Sequence, residues 1–165
     1  MTRDRGVFAI EPLGGNRFLF AGGLTNGFST AVTFSEVYTA VAGAPGSFST
    51  DRSMLTHGGG NAFMTRLPNG NVLYAGAWTP GGPSVRDCLV YNPTADTWAN
   101  DALLSVDRRG HGVVRTAQGR TLVIGGISPG GVNYASSELY DAAPNGAACS
   151  GPGVCASGLC VDGVC

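Results

Sequence analysis

The sequence predicts an all-β fold assembled from three repeats of about 50 residues each. The first observation is a short apolar strand that closes on Gly-Gly or Gly-Ala and recurs at 16–23, 70–77 and 119–126. The first glycines of these closing pairs, spaced by 54 and 49 residues, are Gly22, Gly76 and Gly125. A tyrosine follows each strand in the same register, with spacings of 53 and 49, at Tyr38, Tyr91 and Tyr140. Two independent marks with one period near 50 are typical of β-propeller blades.

The composition fits short strands joined by tight turns. The chain has 165 residues, of which 27 are glycine and only 13% are charged. All ten basic residues are arginine, and the net charge is −1 with no basic run, so a nucleic-acid partner is not expected. No apolar stretch approaches the ~20 residues of a membrane span, so we expect none.

Strands are predicted where short apolar runs lie between turn residues. In the first repeat the predicted strands lie at 7–10, 18–21 and 34–39, and Phe48 is placed on a short outer strand. Turns are predicted at 12–16 and 43–47, and a loop at 24–30. The second repeat has the clearest hairpin, because Asn69-Gly70 supplies the positive φ angles of a tight turn between 62–67 and 71–75.

The remaining strands follow the same plan. The second repeat continues with a third strand at 88–91, and a turn then places Trp98 on a fourth. The third repeat has strands at 112–116, 121–124 and 137–141. No aromatic fourth strand follows before the cysteines begin.

These residues closely resemble the kelch repeat, in which a hydrophobic strand closes on a Gly pair and a Tyr and then a Trp follow. The segment 91–98, Tyr-Asn-Pro-Thr-Ala-Asp-Thr-Trp, is similar to the family's Tyr-Asp-Pro-x-Thr-x-x-Trp turn. The matching repeat positions are Gly22, Gly23, Gly76, Gly125, Gly126, Tyr38, Tyr91, Tyr140 and Trp98. The chain departs from the pattern at Ala77 and Phe48, and the third repeat has no Trp.

The resemblance implies a kelch-type β-propeller of about three four-stranded antiparallel blades, of the kind in the central domain of galactose oxidase. The expected blades lie at about 5–50, 51–101 and 102–141, within a repeat region 1–141, and a linker at 142–148 follows. A closed propeller typically has 4–8 blades, so three form an incomplete ring. Open blade edges invite pairing with another chain, and we therefore expect the chain either to self-associate or to be poorly stable.

The segment 149–165 is a short cysteine-rich tail. It is too small and glycine-rich to form a core, so disulfides are expected to hold it through Cys149, Cys155, Cys160 and Cys165. Four cysteines allow three pairings, and the spacing does not choose among them. A zinc site is the rival interpretation, weakened by the lack of C-x2-C pairs. The tail resembles cysteine-rich segments of bacterial secreted and surface proteins, especially those of myxobacteria.

The cysteine-rich tail favours an extracellular or cell-surface location. The first residues, Met-Thr-Arg-Asp-Arg-Gly, lack the apolar core of a secretory signal. We therefore expect that Met1 is not the natural start, that an upstream signal and further blades exist, and that the tail also continues.

By analogy with kelch propellers, one face of the disc is built from the loops at 24–30, 49–61, 78–87, 99–111 and 127–135. Aromatic and arginine side chains in such loops are typical of binding hot spots. The candidate ligand-binding residues are Trp78, Arg86, Asn133, Tyr134, Arg52, His57, Arg109 and His111. Trp78 is the main candidate, although a Trp wedged between blades is an equal alternative.

Structural roles explain several conspicuous residues. The regular spacing of the tyrosines and glycines favours packing over ligand contact. His57 and His111 have too few carboxylates or thiols beside them for a metal site, so no metal or cofactor is expected. Instead of binding a ligand, Arg86 is alternatively expected to pair with Asp87 or to point into solvent. Cys88 is expected to be a small buried hydrophobe, with a link to the tail as the alternative.

No nucleophile and base pair, phosphate loop or shared carboxylate pair is visible. The sequence therefore predicts a non-catalytic extracellular binding or adhesion module for protein or carbohydrate. One alternative is part of a galactose-oxidase-like copper enzyme, because that family is built on a kelch propeller. Another is a structural spacer of a larger surface protein.

Overall fold

The computed structural model describes residues 1–54, 58–82, 84–117 and 119–140, and its regular structure there is entirely β. Sheet 1 contains the strands β1 (Ala9–Gly14) and β2 (Arg17–Ala21). A two-stranded ribbon of β3 (Leu24–Thr25) and β4 (Thr30–Ala31) follows. Sheet 1 then continues with β5 (Phe34–Val41), β6 (Ala44–Phe48) and the short β7 (Arg52–Ser53), which pairs with β5.

The second and third sheets follow in chain order. Sheet 2 contains β8 (Phe63–Arg66), β9 (Val72–Trp78), β10 (Ser84–Asn92) and β11 (Thr97–Asn100). Sheet 3 contains β12 (Gly112–Arg115), β13 (Thr121–Ile124) and β14 (Ser137–Tyr140). Consecutive strands of sheets 2 and 3 are antiparallel neighbours, so each is a meander. No sheet of the described residues closes on itself.

The three sheets are stacked, and sheet 2 is buried on both faces. Val72 and Tyr74 of β9 belong to the core cluster that sheet 2 shares with sheet 1. Leu73 and Ala75, which point the other way because side chains alternate along a strand, belong to the cluster shared with sheet 3. This double burial explains why β9 is a continuous apolar run rather than an alternating one.

The strands β1, β8 and β12, which open the three sheets, lie side by side. A row of backbone hydrogen bonds runs just before them: the Asn61 N–H donates to the Val7 carbonyl at 3.1 Å, and the Gly110 N–H donates to the Asn61 carbonyl at 2.8 Å. These three residues occupy equivalent positions and all have positive φ, at 48°, 56° and 59°. The stack is therefore joined by the same left-handed turn in each repeat.

The sequence-based strands agree closely with the structure. Every predicted strand of the second and third repeats is present, within one to four residues at its ends. The hairpin between β8 and β9 is confirmed, but of its turn residues Asn69 and Gly70 only Gly70 has a positive φ, at 86°. The ribbon and β7 were not predicted, because strands of two residues give no periodic signal.

Two predicted turns in sheet 1 are wrong. The turn expected at 12–16 is shorter, since β1 runs through Pro12 to Gly14, which pairs with Arg17. The turn expected at 43–47 is largely strand β6, which contains Pro45. Both β1 and β6 are edge strands, where a proline does not interrupt a hydrogen-bond ladder.

The linker at 142–148, the tail and its four cysteines lie outside the described residues. The same holds for His57. In the part of the chain that the structure describes, no helix is long and apolar enough to cross a membrane.

Candidate functional site

Trp78 ends strand β9 at the point where the chain leaves sheet 2. Its backbone exchanges two hydrogen bonds with Gly60, at 2.9 and 3.0 Å, and it pairs with Ser84. The expected loop over 78–87 is therefore wrong, because β10 begins at Ser84 and leaves only residues 79–83 between the strands. Leu24 and Ile127 make the same bridge in sheets 1 and 3, so Trp78 occupies a position that recurs in every repeat.

The Trp78 ring packs against an arginine from the segment that enters sheet 3. The Arg109 guanidinium lies 4.9 Å from the ring centroid, a cation–π contact. Both side chains are half-buried. The Arg109 backbone is fixed by two hydrogen bonds to Ile127, at 2.9 and 3.2 Å, so a sheet-like bridge holds the guanidinium beside the indole.

The loop after β13 continues this surface. Ile127 forms a further bridge to Asn133, which is exposed. Tyr134 follows and is half-buried, with its N–H donated to the Gly126 carbonyl at 2.8 Å. The structure thus places Trp78, Arg109, Asn133 and Tyr134 along one connected row, called the loop row below.

Other predicted site residues are placed differently. Arg86 is exposed in an irregular stretch of β10, between its pairing residues Val85 and Cys88. Arg52 forms an ion pair with Asp96 at 2.6 Å, so its charge is already matched.

His111 is not on the surface, and its expected place on the exposed face is wrong. The residue is 1% exposed, and its ring lies 5.4 Å from the Phe63 ring. Among the described residues, neither ring nitrogen has a partner for a hydrogen bond of good geometry, although the Ala75 backbone favours the protonated form somewhat. Burial, and then the charge of Arg108, lower the pKa of His111 to about 4, so the imidazole is neutral at pH 7.

Of the repeated aromatic residues, Tyr91, Tyr140 and Trp98 are buried, whereas Tyr38 is half-buried and packs on Phe48 with ring centroids 4.9 Å apart. Tyr91 is fully buried, and burial raises the pKa of its phenol, which donates to Asp96 at 2.7 Å. Tyr140 donates to Asp101. Trp98 packs against Tyr91 with tilted rings whose centroids are 5.2 Å apart, and its Nε1–H donates to Ser35 of sheet 1 at 2.9 Å. The Trp98–Ser35 bond joins sheet 2 to sheet 1, and the Tyr140–Asp101 bond joins sheet 3 to the segment that follows β11.

The repeated glycines are required by backbone conformation. Gly22, Gly76 and Gly125 have φ of 62°, 59° and 66°, a region that side chains rarely adopt. A Cβ on Gly76 would lie 2.4 Å from the Arg108 carbonyl oxygen. Their recurrence thus has a structural cause.

A buried ion pair that the sequence interpretation missed occurs twice. Arg5 contacts Glu36 with both side chains 0% exposed, and it also donates to the Gly22 and Phe34 carbonyls at 3.3 Å. Arg108 contacts Glu138 at 2.8 Å and donates to the Gly125 carbonyl at 2.6 Å. The signal was present in the sequence: each arginine precedes its glycine by 17 residues, and each glutamate stands two residues before a repeat tyrosine.

Cys88 is 1% exposed, and burial, reinforced by nearby acidic groups, raises the pKa of its thiol to about 12. It packs in the cluster between sheets 2 and 3, as expected for a small buried hydrophobe. Among the described residues, no group of three or more His, Cys, Asp or Glu side chains could hold a metal ion.

No protein-family model matches the sequence, and no curated protein is significantly similar to it.

Proposed function

We propose that the chain is a kelch-type β-propeller segment that acts outside the cell or at its surface as a non-catalytic binding module for a protein or a glycan. The arrangement of three stacked meanders with β1, β8 and β12 side by side supports the propeller part of the proposal. The cysteine-rich composition of 149–165 supports the location.

One observation carries the binding role, namely the Trp78–Arg109 stack in the loop row. Tryptophan and arginine are the residues that most often dominate binding energy at interfaces. Here a repeat bridge orients both of them before any ligand arrives, and preorganisation lowers the entropic cost of binding. Asn133 adds exposed hydrogen-bonding groups next to them.

The test is a binding screen of the full chain on arrays of glycans and of extracellular proteins. For any ligand found, Trp78→Ala is expected to weaken the affinity at least tenfold, since truncating a hot-spot residue costs about 2 kcal/mol or more. Tyr134→Ala is expected to give a smaller loss. The matched control is Arg17→Ala, which removes an exposed arginine at the β1–β2 turn and should leave the affinity unchanged.

Two results would contradict this proposal. A ligand whose affinity is unaffected by Trp78→Ala would place the site elsewhere. An absence of binding on both arrays would favour a structural spacer.

A further inference from the structure

The two outer faces of the stack carry apolar side chains. Leu122 of β13 pairs with Val114 on one side and Leu139 on the other, so these three share a face. Ile124, two residues further along β13, points the same way. We call the surface formed by Val114, Leu122, Ile124 and Leu139 the sheet 3 face.

Three positions of the sheet 3 face are buried in the other repeats, whereas the fourth, Val114, corresponds to the half-buried Glu11 and Thr65. Leu139 is 45% exposed, whereas its counterparts Val37 and Val90 are 6% and 1% exposed. Ile124 is 44% exposed, whereas the counterpart Ala21 is 0% exposed. The sheet 3 face is thus the register equivalent of the faces by which sheet 1 packs on sheet 2 and sheet 2 packs on sheet 3.

Sheet 1 presents the complementary surface at the other end of the stack. Phe20 contacts Phe48 and Tyr38, with ring centroids 5.3 and 6.4 Å apart, and pairs with Ile10. We call these four residues and Phe18 the sheet 1 face. Ile10 is 49% exposed, whereas its counterpart Met64 is 8% exposed beneath sheet 1. The sheet 1 face is therefore equivalent to the surfaces of sheets 2 and 3 that are already covered.

The backbone row ends in complementary groups. At one end stands the Val7 N–H and at the other the Gly110 carbonyl, and neither has a hydrogen-bond partner among the described residues. Within the row, the N–H of each such residue donates to the carbonyl of its counterpart one sheet earlier. A Val7 N–H from another copy would continue the row at Gly110.

We propose that the sheet 3 face packs on the sheet 1 face of a second copy of this chain, and that the reciprocal contact closes a two-chain ring of six sheets. Six lies within the 4–8 blades typical of closed propellers. A second copy is the favoured occupant because of the packing within one chain. There, the faces of sheets 1 and 2 that are equivalent to the sheet 3 face already pack on surfaces equivalent to the sheet 1 face. Such a head-to-tail contact is heterologous and closes only if the rotation per sheet permits it. The inference rests on the proposed propeller arrangement but uses no residue of the loop row.

The test is the mass of the full chain by light scattering in reducing buffer, which removes disulfide links between chains. The wild type is expected at twice 16.8 kDa, that is 33.6 kDa. Ile124→Asp and Ile10→Asp each place a charge in one face and are expected at 16.8 kDa. The matched control Val132→Asp changes a residue that is 67% exposed in a loop outside both faces, and it should remain a dimer. Far-UV circular dichroism checks folding, and Leu139→Ser replaces Ile124→Asp if that variant does not fold.

Mixing the two monomeric variants provides the decisive measurement. The Ile10→Asp chain keeps an intact sheet 3 face and the Ile124→Asp chain an intact sheet 1 face, so an equimolar mixture restores one of the two contacts of the ring, while the other carries both aspartates. A species of 33.6 kDa, twice the chain mass of 16.8 kDa, is expected to return, and it should dissociate more readily than the wild-type dimer.

Four outcomes would overturn the two-copy ring. A monomeric wild type would mean that no second copy covers the two faces. Dissociation by Ile124→Asp but not by Ile10→Asp would indicate that like faces pair. Larger open polymers would show that the rotation does not close, and loss of the dimer in Val132→Asp would place the contact elsewhere. The array screen tests ligand binding by the loop row, and light scattering tests the two-copy ring. A failure of either proposal would therefore be distinguishable from a failure of the other.

Discussion

Two equivalent positions in each repeat hold a buried arginine–glutamate pair in sheets 1 and 3 but not in sheet 2. In sheets 1 and 3 an arginine spans two backbone carbonyls and meets a glutamate. Sheet 2 has Gly59 and Leu89 at the two corresponding positions, and Leu89 is 1% exposed in the core. The same place is therefore filled by an ion pair in sheets 1 and 3 and by an apolar side chain in sheet 2.

Replacing one member of the Arg5–Glu36 pair should be more harmful than replacing both. Glu36→Leu leaves a buried guanidinium without its counter-ion, and we expect a loss of about 3–5 kcal/mol in the free energy of unfolding. The double variant Arg5→Met, Glu36→Leu should recover most of this loss. Urea unfolding followed by tryptophan fluorescence measures both values. A double variant no more stable than Glu36→Leu would show that the pair is not coupled.

His111 should make the protein less stable in mild acid. Its folded-state pKa of about 4 lies below the ordinary value of 6.5, so the unfolded chain takes up the proton first. This contribution to stability is complete above pH 6.5 and is lost as the pH falls toward 4. Between pH 7.5 and 5 we expect a decrease of about 2 kcal/mol. The variant His111→Gln should lack this component in urea titrations at the two pH values, and equal pH dependence in both proteins would contradict it.

At the scale of the element, the sequence identified strands wherever burial imposes a pattern. The run of β9 is apolar because both of its faces are covered. The sequence could not show where edge strands end, because the tolerance of β1 and β6 for proline depends on which strand is outermost.

The closing glycines provide a test of the strand ends. Gly76→Ala and Gly125→Ala impose a similar cost for a side chain at positive φ, about 1–2 kcal/mol. A Cβ at Gly76 would also lie 2.8 Å from the His111 ring and 2.4 Å from a carbonyl oxygen, whereas at Gly125 the nearest atom is 3.5 Å away. We therefore expect Gly76→Ala to be more destabilising by a further ~1–3 kcal/mol. Thermal unfolding of the two variants measures the difference, and equal losses would show that crowding is relieved without cost.

At the scale of the molecule, the candidate site shows what a linear pattern leaves out. The sequence named Trp78, Arg109, Asn133 and Tyr134, but only the stacking of sheets reveals that they form one row. It also assigned His111 to the surface, because the segment before β12 looks like a loop although its side chain turns inward. Contacts between repeats depend on how far one sheet is rotated over the next. The spacing of motifs along the sequence does not reveal this rotation.

The row through Val7, Asn61 and Gly110 also bears on how the molecule opens. Its hydrogen bonds join sheets to each other and belong to no strand ladder. The Asn61 amide therefore reports on separation of sheets 1 and 2, and the Gly110 amide on separation of sheets 2 and 3. Measured by hydrogen exchange, two unequal protection factors would mean that the stack opens one seam at a time, as local unfolding units do. Two equal protection factors matching that of the Leu73 amide, in the buried β9, would mean that no sheet separates unless the whole protein unfolds.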